Sequence, residues 1–414
     1  MPGKLLRVVT AGSVDDGKST LVGRLLHDAK AVLADQLSAV EAASQRRGYE
    51  GADLALLVDG LRAEREQGIT IDVAYRYFAT ARRTFILADT PGHVQYTRNT
   101  VTGASTAEVA VILVDARAGV VEQTKRHLAV VALLRVREIV LAVNKMDLVG
   151  YQEPVFDAIV AEFAAAAEKL GVDHFTPIPI AALDGDNVVS RSVAMPWYGG
   201  QPLLSFLETV QPGVAAELPA RFPVQVVIRP QTAEHPDYRG YAGRVEAGVL
   251  RQGDKVRVLP SGRLSVIEAI DTPDGELAEA PAGRSVTVRL ADDVDVARGD
   301  LLAVDADPLP VSTRQLSATV CWLTDVPLRA GARYQLRHTT KDVLAVVDRV
   351  ETRLDIDAVR EAPAAELGLN DIGAVRLRLA EPVVADPYRM SRATGSFLLV
   401  DTGSGATVAA GMLR

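Results

Sequence analysis

The sequence predicts an α/β domain, with a mostly parallel sheet and helices on both faces, followed by two antiparallel β-barrel domains. Three observations predict this. Short apolar runs alternate with helical stretches through the first half, the pattern changes after Asn187, and from Phe222 onward short alternating stretches are broken by Gly, Asp and Pro. At 414 residues the chain is also too long for one core, given roughly 100 to 200 residues per domain. The expected division is 1–212, 213–309 and 310–414.

Taken in order, residues 5–11, 84–89, 109–115, 139–144 and 177–181 are short apolar runs with turn chemistry after each. They read as strands buried on both faces, as in a parallel sheet. The helical stretches between them are clearest at 154–170, where Gly171 supplies the stop. A linker follows, with MPWYGG, Pro202, a short helix near 203–210, then Gln211, Pro212 and Gly213. The stretch YAGRVEAGVLRQGDKVRVLPSG at 241–262 is typical of what comes next, and turn-rich residues 305–310 separate the two barrels.

Hydrophobic residues at 48% and charged residues at 24% fit an ordinary globular protein. The net charge of −8 argues against a broad nucleic-acid surface, because phosphate backbones attract clustered Lys and Arg. Apolar runs such as 109–114 fall far short of the roughly 20 residues of a membrane-spanning helix. The opening MPGKLLRVVTAG lacks an apolar signal core, so a cytoplasmic protein without a membrane segment is expected. The single cysteine, Cys321, excludes an internal disulfide and a cysteine metal site and reads as a small core residue.

Residues 12–19, GSVDDGKS, fit GxxxxGK[ST] between a predicted strand and a predicted helix. Gly12, Ser13, Val14, Asp15, Asp16 and Gly17 would wrap backbone N–H groups around phosphates. Lys18 would reach the outer phosphates and the Ser19 hydroxyl would ligate Mg2+, with Thr20 beside it. The second motif is DTPGH: Asp89, Thr90, Pro91, Gly92 and His93, directly after the apolar run FILA. An acid at that strand end holds magnesium through a water, and the Gly92 amide contacts the γ-phosphate. The third is NKMD: Asn144, Lys145, Met146 and Asp147, after IVLAV. A carboxylate there accepts from N1–H and the 2-amino group of guanine. Adenine would leave it unpaired, so this element selects GTP over ATP. The fourth, RAEREQGIT, ends at Thr70, whose hydroxyl completes the magnesium shell only while the γ-phosphate is present. Standing alone, GSVDDGKS could also be a glycine turn before a helix, DTPG more often marks a turn, NKMD is a strand-end turn and Thr70 a β-branched strand residue. Their order along the chain points to a P-loop GTPase domain.

With these residues placed, the sequence resembles the translation-factor class of GTPases through DGKST, GIT, DTPGH, NKMD and the barrel pattern GRVEAGVLRQGD. It is most similar to the GTPase (large) subunit of bacterial sulfate adenylyltransferase. The closer likeness rests on LALLVDGLRAEREQGITIDVAYRYF, IAALDGDNV with MPWYGG, LNDIGAVRL, DPYRMSRATGSFLLVD and TVAAGM. The resemblance implies a heterodimer with a small ATP- and sulfate-binding catalytic subunit that makes adenosine 5′-phosphosulfate and pyrophosphate, driven by GTP hydrolysis on the large subunit. No second phosphate loop occurs, which puts adenylyl transfer on the partner. By position, His93 orients the attacking water, Val14 and Ile69 either gate it or are plain packing, and Asp15 helps hold a monovalent cation. Ala181, Ala182 and Leu183 occupy the base-contacting SAL element. Loss of the usual serine leaves a backbone contact to guanine O6 and is expected to loosen that loop. Some relatives continue past TVAAGM into an adenosine phosphosulfate kinase domain. Two other readings share the fold, a translation factor that binds charged tRNA and a GTP-sensing scaffold. The long switch stretch argues against the first, and His93 with its magnesium set against the second.

Overall fold

A computed structural model describes residues 5–30, 38, 40, 44, 54–58, 72–92, 97–211, 218–230, 232, 237–355 and 360–414. The chain forms two compact units, one running up to Gly213 and the other made of Val214–Asp355 with Arg360–Arg414.

The first unit holds a six-stranded sheet of β1 (Leu6–Ala11), β2 (Ala74–Ala79), β3 (Thr84–Asp89), β4 (Val109–Asp115), β5 (Glu138–Asn144) and β6 (Thr176–Pro179), in the order β2-β3-β1-β4-β5-β6. β1 pairs in parallel with β3 and β4, and β4, β5 and β6 continue in parallel. The apolar runs explain this, since every residue of β4, VAVILVD, is buried. β2 runs antiparallel to β3 at the sheet edge and leaves Tyr75 and Tyr77 exposed. Its mixed face carries no apolar run, so the sequence of the switch stretch does not mark it as a strand.

Helices α1 (Lys18–Asp28), α2 (Thr97–Ser105), α3 (Glu122–Leu133), α4 (Glu153–Lys169) and α5 (Leu203–Thr209) connect or follow these strands. α4 begins with Pro154 in its first turn and stops at Gly171, whose φ of 67° is left-handed and whose N–H bonds Glu168 O. The end of α5 is secured differently. Buried Arg83 donates to Leu207 O at 2.9 Å and Val210 O at 2.7 Å, satisfying carbonyls that a helix end leaves open. Because β1, β3 and β5 are parallel, the loops that follow them emerge at one edge of the sheet, where α/β folds place their ligands.

The second unit holds two seven-stranded antiparallel sheets. In the first, strand Lys255–Leu259 ends the strand order and also pairs with Arg263–Thr272, closing a ring. Pairing of Arg333–His338 with Lys341–Asp355 closes the second. Each barrel has its own core, one around Phe222, Tyr241 and Val256, the other around Trp322, Leu336 and Val375. Between them lie Leu259, Leu301, Ala303 and Val384, with a fully buried ion pair in which Arg221 grips Asp386 through two bonds of 3.2 Å. Cys321 is buried in the second barrel, and burial pushes its thiol up to about 12. Among the described residues no helix is long and apolar enough to cross a membrane.

Candidate functional site

The loop between β1 and α1 turns back on itself. Asp15 and Gly17 take left-handed φ values of 70° and 90°, and the Asp16 carboxylate accepts from the Ser13 N–H at 2.5 Å. Glycine is required at 17, because a Cβ there would lie 2.4 Å from Asn144 Nδ2. Lys18 folds over the loop and donates to Gly12 O and Ser13 O, both at 2.7 Å. Burial pushes its pKa down, and the charges of Asp89, Asp16 and Asp15 oppose that. Burial likewise pushes the Asp16 carboxyl up. The first turn of α1 carries no acidic residue, so the positive end of the helix dipole and the lysine both face a place suited to an anion.

Asp89 ends β3 in register with Thr10, and its fully buried carboxylate accepts from Thr10 Oγ1 at 3.0 Å. Thr90 Oγ1 donates back to Thr10 O at 2.7 Å, fastening the turn of Thr90, Pro91 and Gly92 to the end of β1. At Gly92 a Cβ would stand 2.6 Å from both Gly12 O and Lys18 Nζ. The DTPG turn therefore sits directly on the phosphate loop, and glycine alone permits the approach. Ser19, in the first turn of α1, and Asp89 supply the hard oxygen donors that magnesium takes, so the residues present fit that ion. Thr70, Ile69 and His93 lie outside the described residues.

The third motif joins the same edge. Asn144, at the end of β5 and 2% exposed, donates to Asp16 O at 2.8 Å and accepts from the Ala182 N–H at 3.0 Å. One side chain thus ties the phosphate loop to the 181–183 loop. Lys145, with a φ of 63°, donates to Asp15 O and pairs with Asp115 at 2.9 Å. Burial would raise the pKa of Asp115, but hydrogen bonds from Arg117 and Lys145 outweigh it and hold the carboxyl well below the usual range. Met146 is buried, and its N–H bonds Ile180 O at 3.2 Å. The Asp147 carboxyl stays partly open and is pushed up by burial, with Asp184 and Asp186 adding to the effect. Ala181 and Ala182 are buried, whereas Leu183 and Val14 are exposed. Val14, 38% exposed, is not a core residue.

Four residues escaped the sequence reading. Asp115 ends a buried strand, as Asp89 and Asn144 do, and Arg117 comes two residues later, a signal that was available. Arg24, on α1, donates to the carbonyls of Ala182 and Leu183. His127, on α3, is 2% exposed, lies against the backbone of Gly12 and Gly92, and has Gln123 Nε2 3.3 Å from its Nε2. Burial and the Lys18 charge push its pKa down to about 3, so the ring is neutral. Its only sequence signal is a polar residue among the apolar positions of an amphipathic helix.

Residues 3–220 match the family described as Elongation factor Tu GTP binding domain, and residues 315–414 match GTP-eEF1A C-terminal domain-like. The chain is 55% identical over 412 residues to the "Bifunctional enzyme CysN/CysC" of Mycobacterium tuberculosis, covering 99% of this chain and 67% of that protein. It is 51% identical over 414 residues to "Sulfate adenylyltransferase subunit 1" of Aeromonas hydrophila and 50% over 412 residues to the protein of that name in Tolumonas auensis. Both alignments cover 99% of this chain and 86% of the relative. The chain belongs to the elongation factor Tu GTP-binding-domain family and, within it, to the family of sulfate adenylyltransferase subunit 1.

Proposed function

We propose that GTP hydrolysis by this chain, a GTPase subunit of the sulfate adenylyltransferase family, drives formation of adenosine 5′-phosphosulfate and pyrophosphate from ATP and sulfate on a separate small subunit. The observation that carries the reading is the likeness of 50 to 55% identity over 99% of the chain to proteins of that name and to a bifunctional enzyme. The geometry supports it. Phosphate loop, DTPG turn and NKMD meet at one sheet edge, which a GTPase needs and a bare fold does not. The tRNA-binding alternative has no comparable support among these relatives.

In this reading the phosphates lie in the loop of Gly12, Ser13, Val14, Asp15, Asp16 and Gly17, with Thr20 behind it. Lys18 and the Gly92 amide face the γ-phosphate. Water attacks the γ-phosphorus as the bond to the β–γ bridging oxygen breaks, leaving GDP and phosphate. His93 would orient that water, and Val14 with Ile69 would close over it. The Lys18 ammonium, already short of solvation, gains most where negative charge builds up. Ser19, Thr70 and Asp89 would hold magnesium, which when bound neutralises charge on the β- and γ-phosphates. Asp15 would help hold a monovalent cation. Asp147 would read N1–H and the 2-amino group, and the loop of Ala181, Ala182 and Leu183 the O6 edge. Residues 1–212, 213–309 and 310–414 would serve as three domains, a division supported by the three separate cores.

The test is pyrophosphate release from ATP plus sulfate by the chain mixed with its small subunit, with and without GTP. GTP should raise the yield beyond what the small subunit reaches alone. An unchanged yield, with GTP hydrolysed, would leave a GTPase of another purpose.

A further inference from the structure

The loop of Ala182 to Gly185 is pinned firmly on its inner side. Asn144 accepts from the Ala182 N–H at 3.0 Å, the Ala181 N–H bonds Asp186 O at 3.2 Å, and the Gly185 N–H bonds Ala181 O at 2.8 Å. Its outer side lacks such packing, and Leu183 is 64% exposed. There the Arg24 guanidinium takes over. Its Nε donates to Ala182 O at 3.3 Å, its Nη2 donates to Leu183 O, and its Nε and Cζ lie 3.7 and 3.8 Å from where a Cβ of Gly185 would be. Asp28, one turn further along α1, stands 3.8 Å from the same guanidinium and balances its charge. Arg24 comes six residues after Lys18, about 9 Å along the helix axis, so one rigid helix reaches both the phosphate loop and the base loop.

We propose that Arg24 is a positioning residue for guanine recognition, holding the 182–185 loop by its carbonyls so that the backbone is presented to guanine O6 without the serine hydroxyl that Ala181 lacks. The inference rests on the base-site reading above and adds to it the part that replaces the missing hydroxyl. Two carbonyls held by one planar fork leave the loop little freedom to tilt. A lysine, with a single point charge, cannot hold both in that geometry.

Three triphosphates separate the contacts. GTP presents O6, N1–H and the 2-amino group; ITP keeps O6 and N1–H; 2-aminopurine riboside triphosphate keeps the 2-amino group and lacks both O6 and N1–H. Equilibrium dissociation constants are measured for the native protein and Arg24→Ala. The loss of two hydrogen bonds from a charged donor should weaken GTP and ITP alike by about tenfold or more and leave the 2-aminopurine nucleotide within about threefold. The preference for GTP over 2-aminopurine then falls by about the same tenfold, while that for GTP over ITP persists. Equal weakening of all three, or no weakening, overturns the role of Arg24. If Arg24→Ala fails to fold, Arg24→Lys keeps the stem and charge, loses the fork, and should shift the same ratio. A native protein that binds the 2-aminopurine nucleotide as tightly as GTP would instead overturn the base-site reading itself.

Discussion

Asn144 is the joint between the two loops that would grip a nucleotide, and its replacement by alanine measures that joint. The side chain is 2% exposed, donates to Asp16 O at 2.8 Å and accepts from the Ala182 N–H at 3.0 Å. Asp16 and Ala182 are themselves 5% and 2% exposed, so water does not replace the lost bonds. Each stranded buried group costs about 1–3 kcal/mol, which puts the brace at about 2–6 kcal/mol. A loop that has lost its brace must be ordered again by its ligand. Even the lower figure therefore predicts a GTP dissociation constant raised roughly 30-fold. The assay is titration of native and Asn144→Ala protein with a fluorescent guanine nucleotide, with circular dichroism to confirm the fold. Pyrophosphate should bind more weakly too, because Asp16 belongs to the phosphate loop. A folded variant whose GTP affinity stays within threefold of native would refute the reasoning.

Three further outcomes are expected. Ser19→Ala should lower GTP affinity at least tenfold in magnesium and little in EDTA if its hydroxyl is a metal ligand, as proposed; equal losses in both buffers would take Ser19 out of the metal shell. His93→Ala should keep GTP binding and slow single-turnover hydrolysis about 100-fold or more, and a variant as fast as native, with and without the partner, would remove His93 from that role. His127 should make the fold acid-sensitive. Its pKa of about 3 lies below the ordinary 6.5, so the unfolded chain binds the extra proton. The stability present above pH 6.5 then falls with pH, by about 2 kcal/mol at pH 5. Denaturant unfolding at pH 7 and pH 5 should show a smaller drop for His127→Gln, and an equal drop would contradict the assignment.

What the sequence made legible follows from locality. The parallel strands announced themselves because both of their faces are buried and the apolar runs are unbroken, as in VAVILVD. The phosphate loop and NKMD were legible because each is a short stretch whose backbone geometry depends on its own glycines or strand end. Arg24 and His127 stayed hidden because their partners lie far along the chain, Arg24 reaching Ala182 and His127 reaching Gly12. An arginine or a histidine on an amphipathic helix gives no sign of where it points. The antiparallel β2 was missed for another reason, since an edge strand with Tyr75 and Tyr77 exposed lacks the apolar run that marked the others. The consequence of Ala181 was only half legible. A missing hydroxyl suggests a looser loop, whereas the structure fastens the loop from outside through Arg24.

The central claim, that GTP read by NKMD drives sulfate activation, is tested most directly by Asp147→Asn paired with the small subunit. Xanthine carries a carbonyl where guanine has its 2-amino group, so an asparagine amide donates to xanthine where the carboxylate repels it. GTP should lose a few kcal/mol, or roughly two decades of affinity, and XTP should gain. Pyrophosphate release from ATP plus sulfate is then measured with each nucleotide. The account predicts GTP stimulation of the native pair and XTP stimulation of the variant pair. A variant pair that still responds to GTP, or that hydrolyses XTP without making more sulfate-dependent product, would contradict it.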